Sequence, residues 1–202
     1  MLHLESVAPA TLTLARRLLA LPELSEMRLV GGTALALQFG HRTSVDLDLF
    51  GPWDKRIQLN VALSSCGQVN DHGGGGRMRF FAIDGVKVDC VDYPYPWLEP
   101  PVCEEGLRIA SVSDIAAMKL SAATNRGTRK DFVDIAFLLK RFRFEELMSL
   151  YRNKYDDANE YTVLRSLTYF DDAEEQPLPV MLVPFDWEEA KATIRAAVEA
   201  YA

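Results

Sequence analysis

The sequence predicts an α+β fold, in which a half that contains strands is followed by a half made of helices. Apolar and polar residues alternate with a period of two over residues 45–50 and 77–91, as they do in half-buried strands. Beyond Pro100-Pro101, the apolar spacing changes to the 3.6-residue period of helices. The change predicts an α/β core over residues 1–109 and a helical region over residues 110–202 that packs on the core and completes its site.

Helix and strand signals alternate in the first 40 residues, and glycines separate them. Leucines and alanines recur at helical spacing over residues 9–21, which predicts a first helix. Residues 27–30 form a short apolar run that ends at Gly31-Gly32, and good helix formers follow over residues 33–39. This order predicts a strand, a glycine turn and a second helix.

Acidic side chains occupy alternate positions of the strands predicted next. Asp46 and Asp48 are two residues apart, so both would point to one face, with their Cα atoms about 6.5 to 7 Å apart. Residues 77–91 flank an Asp84-Gly85 turn and predict a hairpin. The second strand of that hairpin carries Asp89 at an alternating position.

The segments between these strands have weaker signals. Residues 54–65 resemble a helix. The glycine run over residues 73–76 lacks a strand-to-helix context and a following Lys-Ser or Lys-Thr, so it is interpreted as a flexible approach to the hairpin and not as a phosphate loop.

The second half is predicted to be helical. Ser113 is the predicted N-cap of its first helix. Residues 171–179 are polar and contain prolines, which predicts a loop. Helices are predicted over residues 114–124, 131–140, 145–153, 158–169 and 187–201.

Composition excludes several classes of protein. With 49% apolar and 25% charged residues among 202, the chain is neither disordered nor fibrous. No apolar run reaches the roughly 18 residues of a membrane-spanning helix, and no basic leader precedes an apolar block at the start, so we expect no membrane contact. Three cysteines without CxxC spacing predict neither a disulfide framework nor a zinc site, which favours the cytoplasm.

Charge is unevenly distributed along the chain. A net charge of −7 argues against a protein whose whole surface binds nucleic acid. Residues 126–143, however, contain six basic side chains and only two acidic ones. A local basic face is therefore predicted there.

The acidic strands and the glycine turn suggest metal and phosphate binding. Two carboxylates so close repel each other, and two divalent cations about 3.5 to 4 Å apart offset that repulsion and can bridge phosphate oxygens. The alternative is that Asp46 and Asp48 form the solvated face of an edge strand. At the Gly31-Gly32 turn, free backbone N–H groups and the helix dipole could bind phosphate. The alternative is that the turn is only a tight connection between strand and helix. Asp89, on a neighbouring strand, would complete a set of three acids.

The spacing of these motifs resembles the signature of the DNA polymerase β-like nucleotidyltransferase superfamily. Thirteen residues separate Gly31-Gly32 from Asp46, and Asp89 follows downstream between apolar residues. Within that superfamily, three blocks resemble the AbiEii/AbiGii toxin family, the nucleotidyltransferase-like toxins of type IV toxin–antitoxin systems. The blocks are GGTALALQFGHRTSVDLDLF, VKVDCVDYPYP and SDIAAMKLSAATNRGTRKDFVDIAFLL. The resemblance implies a polymerase β-like nucleotidyltransferase fold, with a small mixed sheet and flanking helices.

The resemblance also implies roles for particular residues of the first half. Asp46, Asp48 and Asp89 would bind magnesium, with two Mg²⁺ ions expected, and Asp89 would lie near the attacking hydroxyl. The small hydroxyl residue of the family matches Ser44, and its arginine matches Arg42, which either contacts the triphosphate or pairs with an acid. The nucleotide phosphates would be held by Gly31, Gly32 and Thr33.

In the second half, the resemblance places basic residues near the phosphates. Lys119 would neutralise charge that develops on them, and Arg126 lies seven residues further along the same helical face. The alternative for both is a solvated basic face. Asp131 and Asp134 would orient Lys119, Arg126 or Arg42 by ion pairing without touching metal.

The implied function is magnesium-dependent transfer of a nucleoside monophosphate from an NTP to an acceptor hydroxyl. The toxin resemblance suggests an RNA acceptor, in particular the tRNA 3′ end, and a cognate antitoxin as a protein partner. Overall acidity fits better with a small cationic acceptor or a protein hydroxyl. A non-catalytic module that binds a nucleotide or a partner is the remaining alternative.

Overall fold

The computed structural model describes residues 1–54 and 56–201, which form two compact units. The first unit contains residues 1–95 and 100–110, and the second contains residues 96–99 and the chain from Ser111 onward. The change of unit at residues 110 and 111 lies one residue from the boundary that the sequence predicts. Residues 96–99 were expected in the α/β core, but they belong to the helical unit.

A seven-stranded mixed sheet is the centre of the first unit. Its order is β3-β4-β5-β2-β1-β7-β6. The central strand β2 runs antiparallel to β1 and parallel to β5. The strands are β1 (Arg28–Val30), β2 (Leu47–Phe50), β3 (Val69–Gly75), β4 (Met78–Ile83), β5 (Val86–Val91), β6 (Val102–Glu104) and β7 (Leu107–Ile109).

Three helices accompany the sheet in this unit: α1 (Pro9–Leu19), α2 (Gly31–Phe39) and α3 (Leu59–Leu63). Helix α2 follows β1 without a loop and packs on β1 and β2. Because side chains alternate along a strand, one face of the sheet buries apolar residues such as Leu29, Leu49 and Phe81. The acidic residues of β2 and β5 lie on the other face.

The structure confirms the predicted hairpin and corrects its surroundings. The hairpin strands are β4 and β5, joined at Asp84-Gly85. The predicted strand over residues 45–50 begins only at Leu47, so Asp46 lies just before it. The interpretation of residues 73–76 as a flexible approach was wrong, since β3 includes Gly73 to Gly75 and pairs with β4. Positive φ angles of 78° at Gly73 and 144° at Gly74 accommodate a register shift at this place.

The second unit is helical, as predicted. Helix α4 packs on α5, α6 and α7, and α9 packs on the same three helices. The four-residue α8 lies in a segment predicted as a loop. The helices are α4 (Val112–Asn125), α5 (Arg129–Leu139), α6 (Phe144–Lys154), α7 (Glu160–Leu167), α8 (Asp171–Glu174) and α9 (Trp187–Tyr201). No helix in the described part of the chain is long and apolar enough to cross a bilayer.

Helix α4 is capped by Ser111 and not by Ser113. The helix begins at Val112, two residues before the predicted start, and the Asp114 N–H donates to Ser111 Oγ at 3.0 Å. The Ser111 hydroxyl in turn lies 2.7 Å from Asp114 Oδ2 and donates to it. Ser113 instead donates to Glu99 Oε1 at 2.7 Å.

A buried ion pair links three segments of the helical unit. Lys154 Nζ at the end of α6 lies 2.6 Å from Asp114 Oδ1, and both side chains are fully buried. The same ammonium donates to the Pro96 carbonyl at 2.9 Å and lies over the Trp97 ring. Asp114 also accepts from the Leu98 N–H at 2.9 Å. These bonds explain why residues 96–99 belong to this unit, because buried charges need partners on every side.

Candidate active site

The turn between β1 and α2 is packed against two charged side chains. Gly31 has φ +70°, and a Cβ atom at this position would overlap the carboxylate of Asp48, at 3.1 Å from its Cγ. A Cβ atom on Gly32 would overlap the guanidinium of Arg42, at 3.3 Å from its Cζ. The positive φ and the Asp48 contact both favour glycine at position 31, whereas a side chain at position 32 would force the Arg42 guanidinium to move. The two glycines thus let Asp48 and Arg42 lie against the first turn of α2.

The beginning of α2 can bind an anion. Its N-cap residue is Val30, and no side chain caps the helix. The first N–H groups of a helix have no partner within the helix, and the helix dipole places partial positive charge there. The backbone of Gly31 and Gly32 is therefore suited to phosphate, as the sequence predicts.

Thr33 and Ser44 connect this turn to the acidic strand. The Thr33 hydroxyl is 2.8 Å from the Ser44 hydroxyl and also donates to the Asp46 carbonyl. Thr33 is buried, and the Ser44 N–H donates to the Ser6 carbonyl at 2.9 Å. Both hydroxyls therefore position the chain around Asp46, and direct contact of either residue with a nucleotide stays a prediction.

Arg42 is buried beside the glycine turn. Its side chain is 3% exposed, and Nη1 donates to the Thr43 carbonyl at 3.0 Å. A guanidinium held against the helix start adds a full positive charge where phosphate would bind. Whether Arg42 contacts the triphosphate or pairs with an acid stays a prediction.

Sheet register brings the predicted acids together. Asp48 is the register partner of Val30 on one side and of Asp89 on the other. Asp46 precedes β2 by one residue, so it lies at the same end of the sheet. The three acids therefore occupy one region next to the glycine turn.

Asp89 has one oxygen engaged and one without a partner. Its Oδ2 accepts from Lys87 Nζ at 2.7 Å. Its Oδ1 is buried and has no hydrogen-bond partner among the described residues. A buried carboxylate oxygen without a partner is unfavourable, which suggests that a ligand completes its surroundings.

Lys87 is a residue of this site that the sequence analysis missed. Burial of part of its side chain would lower the pKa of Lys87, but the hydrogen bond to Asp89 and the negative charges of Asp89, Asp48 and Asp46 raise it. The signal was present in the sequence, because Lys87 is two residues before Asp89 and so shares its face.

The acids form a donor set that fits magnesium. All three are carboxylates, the ligands that hard divalent cations prefer, and Asp89 Oδ1 is available. Within the described residues, no three His, Cys, Asp or Glu side chains are already converged on one metal position. Metal binding would therefore require the carboxylates to move toward the ion.

A second cluster of predicted residues lies in the helical unit. Lys119 Nζ on α4 is 3.0 Å from Asp131 Oδ1 and 2.5 Å from Asp134 Oδ2 on α5. Arg126 Nε is 2.8 Å from Asp131 Oδ2, and Thr128 donates to the same oxygen at 2.5 Å. The predicted ion pairing of Asp131 and Asp134 with Lys119 and Arg126 is therefore present.

These ion pairs determine the ionisation of Asp131. Burial would raise the pKa of this carboxyl, but the charge of Lys119, the hydrogen bonds from Arg126 and the hydroxyl of Thr128 hold it well below its usual range. Lys119 is itself buried, with a side chain 4% exposed. A contact between Lys119 or Arg126 and nucleotide phosphates stays a prediction.

The predicted basic face over residues 126–143 is partly neutralised. Arg126 pairs with Asp131, Arg129 lies 3.0 Å from Glu174, and Arg143 lies 3.5 Å from Glu146. Arg126, Arg129 and Arg143 thus have carboxylate partners. Glu174 is 45 residues from Arg129 in the sequence, so local composition does not reveal that pairing.

Comparison with known proteins identifies the family. A family model described as "Nucleotidyl transferase AbiEii toxin, Type IV TA system" matches residues 13–201. The chain belongs to the AbiEii nucleotidyltransferase family. An uncharacterized protein of Aquifex aeolicus (strain VF5) is 33% identical over 185 residues, which are 88% of each chain.

Solved structures show the same fold at lower identity. JHP933 from Helicobacter pylori is 21% identical with a TM-score of 0.59, over 95% of this chain and 88% of the other. The antibiotic-resistance factor ANT(2'')-Ia is 19% identical with a TM-score of 0.55, over 70% of this chain and 89% of the other. The expected nucleotidyltransferase fold is confirmed, and as an AbiEii protein the chain is a transferase enzyme.

Replacing Gly31 with alanine tests the packing of the glycine turn in this AbiEii protein. Gly76 is the matched control, because its φ of +60° is similar but an added Cβ atom would meet nothing within 4 Å. We expect Gly76→Ala to cost about 1 to 2 kcal/mol of unfolding free energy, the cost of the left-handed conformation alone. Gly31→Ala should cost more and should also reduce nucleotidyl transfer, because it displaces Asp48. Urea denaturation and transfer assays would measure both, and equal effects of the two variants would contradict the packing argument.

Replacing Asp131 with asparagine tests the buried cluster. We expect Asp131→Asn to lower the unfolding free energy at pH 7 by about 3 kcal/mol, because Lys119 loses one buried partner. The folded pKa of Asp131 is lowered, so its contribution is complete above the unfolded value of about 4 and is lost as the pH falls toward the folded value. The difference between variant and wild type should therefore shrink below about pH 4. Urea denaturation at pH 7 and pH 3 would measure it, and a difference independent of pH would contradict the assignment.

Proposed function

We propose that the protein transfers a nucleoside monophosphate from an NTP to an acceptor hydroxyl with the help of magnesium. The position of Asp48 supports this proposal most directly. Its carboxylate lies on Gly31 at the start of α2, and its register partner is Asp89. A phosphate site and a set of metal-binding acids are thus next to each other, as nucleotidyl transfer requires.

In this proposal, the glycine turn binds phosphate and the acids bind metal. The N–H groups of Gly31 and Gly32 bind the triphosphate, with Arg42 beside them. Asp46, Asp48 and Asp89 would hold two magnesium ions, which supply charge neutralisation on the phosphates and activation of the hydroxyl.

The chemical step needs a proton acceptor, and Asp89 Oδ1 has no hydrogen-bond partner among the described residues. The acceptor oxygen forms a bond to the α-phosphorus, the bond from that phosphorus to the bridging oxygen breaks, and pyrophosphate leaves. The hydroxyl proton passes to Asp89.

We propose an RNA 3′ hydroxyl, in particular that of tRNA, as the acceptor, and a cytoplasmic location with a cognate antitoxin. Membership of a family described as type IV toxins supports these assignments. The second candidate is a small cationic molecule or a protein hydroxyl. The net charge of −7 and the pairing of Arg126, Arg129 and Arg143 with carboxylates favour that candidate.

Transfer can be tested with each labelled NTP in turn, with magnesium, in the presence and absence of total tRNA. We expect the wild type to transfer label to tRNA. Asp48→Asn should lower the transfer rate by more than about 100-fold, because a residue that only hydrogen-bonds to a metal ligand typically costs 10- to 100-fold when it is replaced. Asp157→Asn is the matched control, because Asp157 is an exposed acid of the helical unit and the net charge change is the same. Circular dichroism would verify folding of both variants. Full transfer by Asp48→Asn would contradict the proposed site, and label on the protein itself would indicate a protein acceptor.

RNA binding can be tested separately through its dependence on salt. For a single strand, log K falls with log salt by about 0.7 for each phosphate that the protein neutralises. We expect Lys140→Gln, in the basic stretch, to reduce that slope by roughly this amount. Arg77→Gln, in the turn between β3 and β4, is the control and should leave it unchanged. Filter binding of tRNA at several salt concentrations would measure the slopes, and no binding at low salt would favour the small or protein acceptor.

A further inference from the structure

Lys87 is a cation that contacts Asp89 directly and lies near the other two acids. It lies on β5 two residues before Asp89, and its Nζ is 2.7 Å from Asp89 Oδ2. The Lys87 side chain is 57% exposed, whereas that of Asp89 is 14% exposed. The ammonium thus approaches from the solvent side, and the carboxylate is the more buried partner.

Sheet register places Lys87 beside the other two acids as well. Strands β2 and β5 are parallel, and Leu47 pairs with Val88. Asp46 and Lys87 are the residues that directly precede this pair, so they lie beside each other at the same end of the two strands. On the other side of β5, the register partner of Lys87 is Ala82, which carries no charge.

An ion pair that is exposed to solvent has little effect on stability by itself. Its location matters more here, because the ammonium occupies Oδ2, one of the two oxygens that Asp89 can offer to a metal ion. A divalent cation binds carboxylate oxygens more strongly than an ammonium does, and two cations so close repel each other. Metal binding and the Lys87–Asp89 contact are therefore expected to compete.

We propose that Lys87 is a positioning residue that holds Asp89 in the metal-free enzyme and is displaced when a divalent cation binds the acids. The proposal rests on the proposed function, since it takes Asp46, Asp48 and Asp89 as metal ligands. Lys87 would then act as a substitute cation that holds the acids together in the absence of metal and lowers their affinity for the metal ion.

The test is a titration of Mg²⁺ into the full-length protein without nucleotide, followed by calorimetry. We expect Lys87→Gln to bind Mg²⁺ roughly three- to tenfold more tightly than wild type, because one competing positive charge is absent. Lys87→Arg keeps the charge and should bind like wild type. Arg77→Gln makes the same change of net charge in the same unit and should also bind like wild type. The melting temperature in metal-free buffer should be lower for Lys87→Gln than for Lys87→Arg, and added Mg²⁺ should remove that difference.

Each outcome separates the inference from the function on which it rests. If wild type binds Mg²⁺ and Asp48→Asn does not, the metal site stands. In that case, the role of Lys87 alone is overturned if Lys87→Gln binds Mg²⁺ no more tightly than wild type does. It is also overturned if Arg77→Gln gains as much Mg²⁺ affinity as Lys87→Gln. If wild type and Asp48→Asn bind Mg²⁺ equally, or neither binds it, the proposed metal site fails and the inference fails with it.

Discussion

Repulsion among three carboxylates on one face of a sheet is the constraint around which the first unit is organised. Such groups separate unless the backbone holds them, and here the sheet does so because β2 lies between β1 and β5. Asp48 consequently faces Gly31 on one side and Asp89 on the other. Holding the three carboxylates together is electrostatically unfavourable, but it places them next to the start of α2, where the backbone N–H groups can bind phosphate.

The helical unit treats its charges in the opposite way. Lys119 lies between Asp131 and Asp134, and Lys154 lies against Asp114, with all five side chains buried. Buried ion pairs add little net stability, but the loss of one partner is costly because the other charge stays behind. Charges of this kind are suited to holding α4, α5 and α6 in one arrangement. Asp89 of the sheet instead pairs with Lys87, whose side chain is 57% exposed, and a contact of this kind can be exchanged for a stronger cation.

The distribution of paired charges also bears on the acceptor. The basic stretch of the sequence contributes less positive potential than its composition indicates, since three of its arginines pair with carboxylates. An RNA acceptor would therefore have to be recognised through few phosphate contacts, which makes the slope of its salt dependence informative.

The α+β class, the hairpin around Asp84-Gly85, the long helices and the candidate acids could be predicted from the sequence, because they depend on local periodicity and on motif spacing. The three-residue strands β6 and β7 and the strand over the glycine run could not be predicted, since such short or glycine-rich segments carry no periodic signal. Which residues contact one another became apparent in the folded structure. Sheet register and helix packing join residues that are far apart in the chain. They place Asp48 on Gly31, Lys87 beside Asp89, and Arg129 beside Glu174.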